Sequence, residues 1–217
     1  MSLILVGQDD PPYVRRVAVA LGLLDQPFRQ EPLSVFADAA AMAVINPLDR
    51  VPSLVLEDGE VLIDSAAILD WLDERVGPGR ALLPGAGPER RRQLQIVVLA
   101  TGTIDKVMAG ADERLSRPEP QRWPAWLDRC RAQAERGLAA RDEIAAAARD
   151  RCPWLGGERI GQADVPVACL MGYVRLADPA LLAGDRHAAL ARLAAACEAL
   201  PAFAATMPAA YVLPVDG

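Results

Sequence analysis

The spacing of apolar residues divides this 217-residue chain into two regions of different predicted architecture. In the first region, short apolar runs of strand length alternate with helical stripes. Residues 3–6 and 28–33 predict the first two strands. Between them, apolar side chains recur at positions 14, 17, 18 and 21, which predicts a helix. A weaker helical stretch over residues 38–44 must end at Pro47, because proline cannot continue a helix.

Residues 46–75 continue this pattern with a strand, a hairpin and a helix. Pro52 opens an apolar run, and a residue without an N–H fits a strand only at its start or edge. We therefore predict a shaped turn with a cis Val51–Pro52 bond. Asp58-Gly59 supplies the positive φ angles of a two-residue turn, so residues 53–57 and 60–63 should pair antiparallel. The resulting β-α-β-α-β-β-α order predicts an α/β sandwich of the thioredoxin type.

Asp64 and Ser65 open the next predicted helix, whose apolar residues recur at positions 67, 68, 71 and 72. Both residue types favour the N-cap, where their side chains satisfy backbone N–H groups. The same helix start is also a ready site for a carboxylate. The Asp-Ser pair alone favours a plain cap, whereas the Val51-Pro52 dipeptide upstream favours a ligand site.

A stretch rich in helix breakers separates this region from a second one that is helical throughout. Gly and Pro cluster at residues 77–79 and 83–88, where the apolar periodicity stops. Trp123 and Trp126 are interpreted as packing residues, because aromatic side chains at helical spacing usually belong to a core. The predicted domains are 1–77, which is α/β, and 88–217, which is all-α. The second domain has predicted helices over residues 89–115, 123–149, 165–176, 186–200 and 201–207.

Composition narrows the classes of function. A net charge of −6 argues against a broad electrostatic attraction to nucleic acid or to an anionic membrane. The first residues lack the basic leader and the apolar length of a signal sequence or a membrane span, so no membrane attachment is expected. The four cysteines show no C-x-x-C or metal spacing, and the chain has one histidine. We therefore expect buried thiols and no metal site.

Several motifs resemble the glutathione transferase family. The segment NPLDRVPSLVLEDGEVLIDSAAILDWLDE, which begins at Asn46, resembles the glutathione-site half of that family's thioredoxin-like domain. Residues 12–17 are similar to the start of the family's first helix, and 162–165 to the Ala-Asp element that begins the core helix of its second domain. The segments at 99–105 and 117–129 resemble a bacterial subfamily.

The resemblance implies a cytoplasmic homodimer with an N-terminal thioredoxin-like domain followed by an all-helical C-terminal bundle. In that bundle it makes Asp164 a structural cap, and Gly161 stands where a Ser or Thr would complete the capping box. It also implies that residues 66–75 of one subunit lie beside the helix from Arg90 of the other. The charges that would pair there are Asp70, Asp73 and Glu74 with Arg90–Arg92.

By the same resemblance, the Ser65 hydroxyl and N–H hold the γ-glutamyl carboxylate of glutathione, and Asp64 attracts its amine. Charge-assisted hydrogen bonds at a helix N-terminus favour this assignment. Val51, before the cis Pro52, would pair with the cysteinyl unit like an added strand. Arg50 stands where the family has a basic residue that contacts the glycine carboxylate; an exposed surface arginine is the alternative.

The sequence departs from the family pattern at the start of the first helix. The thiol-activating Ser or Cys of the family immediately precedes the Pro-Tyr pair, and here that position is Pro11. Proline offers neither a hydroxyl nor an N–H group. The neighbouring Asp9 and Asp10 would raise the pKa of a thiol rather than lower it.

The remaining candidates for thiol activation are the Tyr13 hydroxyl, the Gln8 side-chain amide, and the backbone N–H groups of Tyr13 and Val14. None of them matches a catalytic position of the family, and Tyr13 is more often a packing residue in this motif. Glutathione binding is therefore better supported than glutathione activation.

Three functions follow from the resemblance. The first is a glutathione transferase, with glutathione as co-substrate and no metal, that conjugates the thiolate to a small hydrophobic electrophile in a cleft between the domains. The second is a non-catalytic or weakly active glutathione-binding protein, which Pro11 favours. The third is a glutathione-dependent disulfide reductase or peroxidase. That function asks for a cysteine near residue 11, and no cysteine precedes Cys130.

Overall fold

The computed structural model describes residues 2–149 and 151–208, which form two compact units. The described part of the first unit comprises residues 2–85 and 198–208, and the second unit comprises residues 86–197. This division differs from the predicted domains of 1–77 and 88–217 at the C-terminal end, where the chain returns to the first unit.

The first unit contains a four-stranded mixed sheet in the order β2-β1-β3-β4. Strand β1 runs parallel to β2, and the pairs β1–β3 and β3–β4 are antiparallel. The predicted β-α-β-α-β-β-α order is confirmed, and so is the thioredoxin-like class. The strands are β1 (Leu3–Val6), β2 (Phe28–Glu31), β3 (Ser53–Val55) and β4 (Val61–Ile63), and the helices are α1 (Pro12–Leu23), α2 (Ala39–Ile45) and α3 (Ser65–Val76).

The core of this unit lies between the sheet and the helices α1 and α3. Leu5 and Leu54 face each other across β1 and β3 and are fully buried. They pack in one cluster with Val17, Ile68 and Leu72 from the two helices. The apolar positions that predicted α1 are all in this core, because a helix that packs on a sheet buries one stripe of its surface.

Residues 198–208 return to α1 through a partly buried ion pair. Arg15 on α1 is buried, and its Nη2 donates to the Glu198 carboxylate at 2.6 Å. Its Nε donates to the Thr206 carbonyl at 3.2 Å, and the short helix α8 (Pro201–Ala204) places Phe203 in the core beside it. The sequence pattern did not predict this return, because no local feature distinguishes a helix that packs back on α1 from one that stays in the second domain.

The second unit is a bundle built around the long helix α4, which packs against α5 and α6. Helix α6 is the most apolar of the set, and residues 165–171 within it are all buried, as predicted. The helices are α4 (Gly87–Ser116), α5 (Pro124–Ala148), α6 (Val165–Ala177) and α7 (Ala188–Glu198), with short 3₁₀ turns at Glu119–Gln121 and Pro179–Leu182.

Helix α4 is the one described helix whose length and composition reach those of a membrane span. In its most apolar stretch of 18 residues, 44% are buried inside the protein. Its packing against α5 and α6 is that of a core helix in a bundle, which passes the same test of length and hydropathy.

Two predicted roles are wrong in the structure. Trp123 is 65% exposed because it precedes α5 as its N-cap residue and does not lie on the packed face, whereas Trp126 is half-buried. Asp73 does not face outward toward a second subunit. It is buried and accepts the Leu82 N–H at 2.7 Å, so it holds the chain that leaves α3.

Candidate functional site

The strand register brings the predicted ligand-binding residues to one edge of the sheet. Ser53 at the start of β3 lies between Val6, the last residue of β1, and Ile63, the last residue of β4. The loop after β1, the turn before β3 and the start of α3 therefore begin side by side. These segments carry Gln8 to Pro11, Arg50 to Pro52, and Asp64 with Ser65, respectively, and the first leads into Tyr13 in the first turn of α1.

The turn before β3 has the predicted cis Val51–Pro52 bond. Buried Asn46 holds this turn, because its Nδ2 donates to the Arg50 carbonyl at 2.7 Å and its Oδ1 accepts the Leu48 N–H at 3.0 Å. The Arg50 side chain is exposed, as a group that meets a ligand or solvent must be. Within the described residues, no backbone hydrogen bond engages the amide or carbonyl of Val51, which leaves both groups available for strand-like pairing.

The loop after β1 is fixed against this turn at Gly7. The φ of Gly7 is +134°, and a Cβ there would lie 2.7 Å from Val14 Cγ2 and 3.0 Å from Val51 Cβ. Only glycine fits so close an approach in this conformation. The Gly7 carbonyl accepts from Gln30 Nε2, and its N–H donates to the Glu31 carbonyl, each at 2.9 Å. The residues that follow Gly7 therefore leave from a fixed point beside Val51.

Helix α3 begins with Asp64 in an uncommon backbone conformation. Its φ is +71° and its ψ is 134°, outside the usual regions of a residue with a side chain, and its Oδ1 accepts the Ala66 N–H at 2.8 Å. Asp64 is exposed, whereas Ser65 is buried. The pair thus presents a carboxylate outward and a hydroxyl inward at the positive end of the helix.

A buried arginine stands behind Ser65, and the sequence prediction missed it. Arg16 on α1 is buried, and its Nη1 donates to Ser65 Oγ at 3.2 Å. Its charge adds to the positive end of the α3 dipole, which strengthens the attraction for an anion at this point. No local signal could have found it, because Arg16 follows another arginine in the sequence and its partner lies 49 residues away.

The start of α1 shows which thiol-activating candidates the backbone leaves open. Pro11 is the N-cap residue, and its carbonyl accepts the N–H groups of both Val14 and Arg15 at 3.0 Å. The Val14 N–H is therefore engaged inside the helix, which contradicts its prediction as a free donor. Tyr13 is half-buried in the first turn, and Gln8 is exposed in the preceding loop.

Acidic residues precede this helix start. The pKa of Asp10 is raised, chiefly because burial disfavours its charged form; its own backbone N–H opposes the shift, and the Asp9 charge adds to it. An anionic carboxylate here would raise the pKa of any nearby thiol by the same repulsion. The start of α1 is thus electrostatically unfavourable to a thiolate, in contrast to the start of α3.

The described residues also show where metal-binding and thiol side chains lie. Among them, no three His, Cys, Asp or Glu side chains lie close enough to share a metal ion. All four cysteines are free thiols in the second unit; Cys130, Cys169 and Cys197 are buried and Cys152 is half-buried.

Comparison with known proteins agrees with this arrangement. Residues 5–80 match the family model described as "Glutathione S-transferase, N-terminal domain". A maleylacetoacetate isomerase of Pseudomonas aeruginosa is 30% identical over 202 residues, which cover 89% of this chain and 90% of that protein.

Two solved structures are similar over nearly the whole chain. A glutathione S-transferase from Methylobacterium radiotolerans, in complex with glutathione sulfonate, has 32% identity and a TM-score of 0.89 and covers 100% of both chains. A glutathione transferase family member from Pseudomonas fluorescens Pf-5, with bound glutathione, has 33% identity and a TM-score of 0.83 over 96% of this chain and 100% of that one.

Proposed function

Because the chain belongs to the glutathione transferase family, we propose that it binds glutathione at the sheet edge of its first unit and transfers the thiolate to a small hydrophobic electrophile. The observation that carries this proposal is the start of α3, where buried Arg16 donates to Ser65 Oγ at 3.2 Å. A hydroxyl and backbone N–H groups beside a buried cation form a site for a carboxylate.

The γ-glutamyl end of glutathione matches this helix start. Its carboxylate accepts from the Ser65 N–H and hydroxyl, with the Arg16 charge behind them. Its ammonium group is attracted by the exposed Asp64 carboxylate. Asp64 is held for that role because its Oδ1 accepts the Ala66 N–H at 2.8 Å.

The rest of the tripeptide extends along the turn before β3. The cysteinyl unit pairs with the amide and carbonyl of Val51, which cis Pro52 orients, as an added strand would. The exposed Arg50 reaches the glycine carboxylate. In this pose Asn46 does not touch glutathione. It fixes the turn before β3, because its side chain donates to the Arg50 carbonyl at 2.7 Å.

The site offers few donors that could stabilise the thiolate of bound glutathione. With Pro11 at the activating position, only the Tyr13 hydroxyl and the Gln8 amide remain as side-chain donors to a thiolate. Conjugation then proceeds by attack of the thiolate sulfur on the electrophilic carbon, and the displaced group leaves with the electron pair of its bond. A lost donor near a developing anion typically lowers a rate by about a hundred- to a thousandfold. We therefore propose weak conjugation of general electrophiles.

The second candidate function is a glutathione-binding protein without conjugating activity. It is favoured by Pro11, which offers neither a hydroxyl nor an N–H group at the place where a thiolate would need a donor. The first and second candidates share the binding site and differ only in the state of the bound thiol.

Calorimetric titration with glutathione, followed by thiolate absorbance of the complex as a function of pH, tests the proposal. Binding with a lowered thiol pKa supports the transferase, and binding with an ordinary thiol pKa supports the second candidate. Absence of binding contradicts both. Turnover should be assayed with an aromatic electrophile, an activated alkene and maleylacetoacetate, since one relative is an isomerase of that compound.

Pro11→Ser gives a matched test of activation. The change restores a hydroxyl at the activating position and should increase conjugation, although Asp9 and Asp10 limit the gain. If the wild-type protein is already fast and Pro11→Ser changes nothing, another group activates the thiol. Tyr13→Phe and Gln8→Ala then identify which one by the loss of rate.

The proposal also includes a cytoplasmic homodimer, by analogy with the family. Of the three acids predicted to pair across its interface, Asp70 and Glu74 are kept in the proposal. Asp73 is left out, because it is buried and accepts the Leu82 N–H. Arg92 is held within its own helix by Glu89 at 2.6 Å. Sedimentation at micromolar concentration tests this state, and a species of only 23.2 kDa contradicts it.

A further inference from the structure

Two adjacent arginines on α1 are buried and reach different parts of the first unit. Arg16 donates to Ser65 Oγ at 3.2 Å, behind the proposed glutathione site. Arg15 forms the ion pair with Glu198 at 2.6 Å and also donates to the Thr206 carbonyl. Consecutive residues of an α-helix point about 100° apart, so one turn of α1 contacts both the start of α3 and residues 198–208. We call residues 198–208 the C-terminal segment.

Helix α1 is packed on two sides, against α3 and against α8. On the α3 side, buried Val17 belongs to the same core cluster as Ile68. On the other side, Gly22 allows α8 to approach closely, because a Cβ on it would lie 3.1 Å from Ala202 Cβ. Close-packed interiors compress little and transmit strain, so a shift of α1 away from one neighbour changes its contacts with the other.

The C-terminal segment is held on α1 by few groups. Phe203 is its one buried residue, and the Phe203 ring centre lies 6.0 Å from the Arg15 guanidinium carbon. Arg15 supplies polar contacts, to the Glu198 carboxylate and to the carbonyls of Thr206 and Phe203. A short segment with one buried side chain opens locally at a lower cost than the core of a domain. The segment therefore has two states, docked on α1 and open, and Arg15 keeps its carboxylate partner only in the docked state.

We propose that Arg15 and Glu198 are positioning residues for the glutathione site, and that docking of the C-terminal segment and binding of glutathione favour each other. The inference rests on the proposed function, because it concerns the same site. The docked segment holds α1 where Arg16 reaches Ser65. In the open state α1 loses this support, and the Arg16 charge and the Ser65 hydroxyl are less well aligned for a carboxylate. The coupling is reciprocal, so glutathione favours docking by the same factor by which docking favours glutathione.

Calorimetric titration of full-length variants with glutathione tests the effect on affinity. Glu198→Gln removes one charge of the ion pair, and Phe203→Ala removes the one buried side chain of the segment. Each should raise the Kd for glutathione about fivefold or more, which is the lower end of typical coupling between sites. Arg80→Gln is the matched control, because Arg80 donates to the Leu24 carbonyl at the opposite end of α1, at 2.6 Å, and it should leave the Kd unchanged.

The outcomes of this titration separate the inference from the proposed function. A raised Kd in both segment variants, with Arg80→Gln unchanged, supports the inference. Unchanged affinity in both segment variants, or an equal loss in Arg80→Gln, overturns it. A wild-type protein that does not bind glutathione contradicts the proposed function itself.

Hydrogen exchange separates this coupling from a general loss of stability. The amides of residues 203–207 are hydrogen-bonded within the segment. Saturating glutathione should slow their exchange several-fold in the wild type, and Glu198→Gln should reduce this protection. The amide of Gly59, which donates to the Leu56 carbonyl at 3.1 Å, is the internal reference, since this hairpin connection lies at the end of β4 away from Ser65. Equal slowing at Gly59, or no slowing in the segment, overturns the inference.

Discussion

Two helix starts in this protein carry an aspartate at the N-cap and use it in opposite ways. At the start of α3, Asp64 is exposed, and its Oδ1 accepts the Ala66 N–H of its own helix at 2.8 Å. At the start of α6, Asp164 is 0% exposed. Its side chain makes no capping bond to α6 and instead accepts N–H groups of the preceding loop, from Leu155 at 2.8 Å and Gly161 at 3.0 Å.

The surroundings explain the different uses. Burial raises the pKa of Asp164 to about 6, against the favourable effect of its two N–H donors and of the Arg141 charge. Arg141 is itself buried, and burial lowers its pKa to about 10. Asp64 needs no such compensation, because water solvates its outer oxygen. The residue type at a helix start therefore does not show which groups the carboxylate serves; the burial of the carboxylate separates the two cases.

Removal of the buried carboxylate should have the largest effect. Asp164→Ala leaves two loop N–H groups unpaired and takes a negative charge from buried Arg141. The free energy of unfolding should fall by about 3–5 kcal/mol, measured by chemical denaturation. Asp64→Ala is the matched change at the exposed cap and should cost about 0.5–2 kcal/mol. Equal losses in the two variants would remove the distinction between the two starts.

The pH dependence of stability should sharpen the same contrast. Because the folded protein keeps a proton on Asp164 up to pH of about 6, it binds more protons than the unfolded chain above pH of about 4. This carboxyl therefore lowers the free energy of unfolding as pH rises through that window, by about 3 kcal/mol in all.

Asp164→Asn lacks this titration, so it isolates the effect from those of the surface acids. The stability advantage of the wild type over Asp164→Asn should be largest near pH 4 and smallest at pH 7. Denaturation curves of both proteins at several pH values measure it. A difference that stays constant with pH would show that Asp164 titrates as it does in the unfolded chain.

Ser65→Ala tests the other helix start through its ligand. Glutathione affinity should fall by about 1–3 kcal/mol, at least fivefold in Kd, because a charge-assisted hydrogen bond is deleted. Calorimetry measures the affinity. Ser53→Ala, a buried serine on β3, is the control for a general effect of the lost hydroxyl. Unchanged affinity in Ser65→Ala would show that the ligand lies elsewhere or is not glutathione.

The smallest expected effect comes from Asp64→Asn. Asn has the same shape as Asp and can accept the Ala66 N–H, so stability should stay nearly constant. Glutathione should bind about 0.5–1 kcal/mol less tightly, because an exposed charge pair with its amine contributes little. A large loss of affinity would mean that the Asp64 carboxylate is desolvated by the ligand.

The elements of the first unit could be predicted because local signals specify them. Pro52 marks the strand start, and both Asp64 and Ser65 lie where the pattern places them. The predicted hairpin forms, but the two-residue turn was wrong: Val55 pairs with Val61, residues 57–59 make the connection, and Gly59 has a positive φ whereas Asp58 does not. The residues that prediction missed act over long separations. Arg16 reaches a serine 49 residues away, and no local pattern distinguishes it from an exposed arginine. Asn46 was missed because its role is to hold a backbone carbonyl in a turn.

The second unit shows the same limit. Cys130, Ala134 and Leu138 recur at helical spacing and are buried together, with Arg141 continuing the stripe. The spacing could not show that Arg141 is fully buried, since its hydrogen bonds run to carbonyls on other elements. Trp123 was misplaced because one residue beyond the helix end no longer lies on the packed face.

The pairing of Arg15 with Glu198 also sets an order of events during synthesis of the chain. The first unit includes residues from both ends, so it is not complete when its last strand leaves the ribosome. Glu198, the ion-pair partner of Arg15, is synthesised 183 residues later, after the second bundle. Domains usually fold as units in the order in which they emerge. Residues 198–208 can pack on α1 only after the second bundle has been made, and a fragment ending at residue 85 would lack the groups that cover and pair the Arg15 guanidinium.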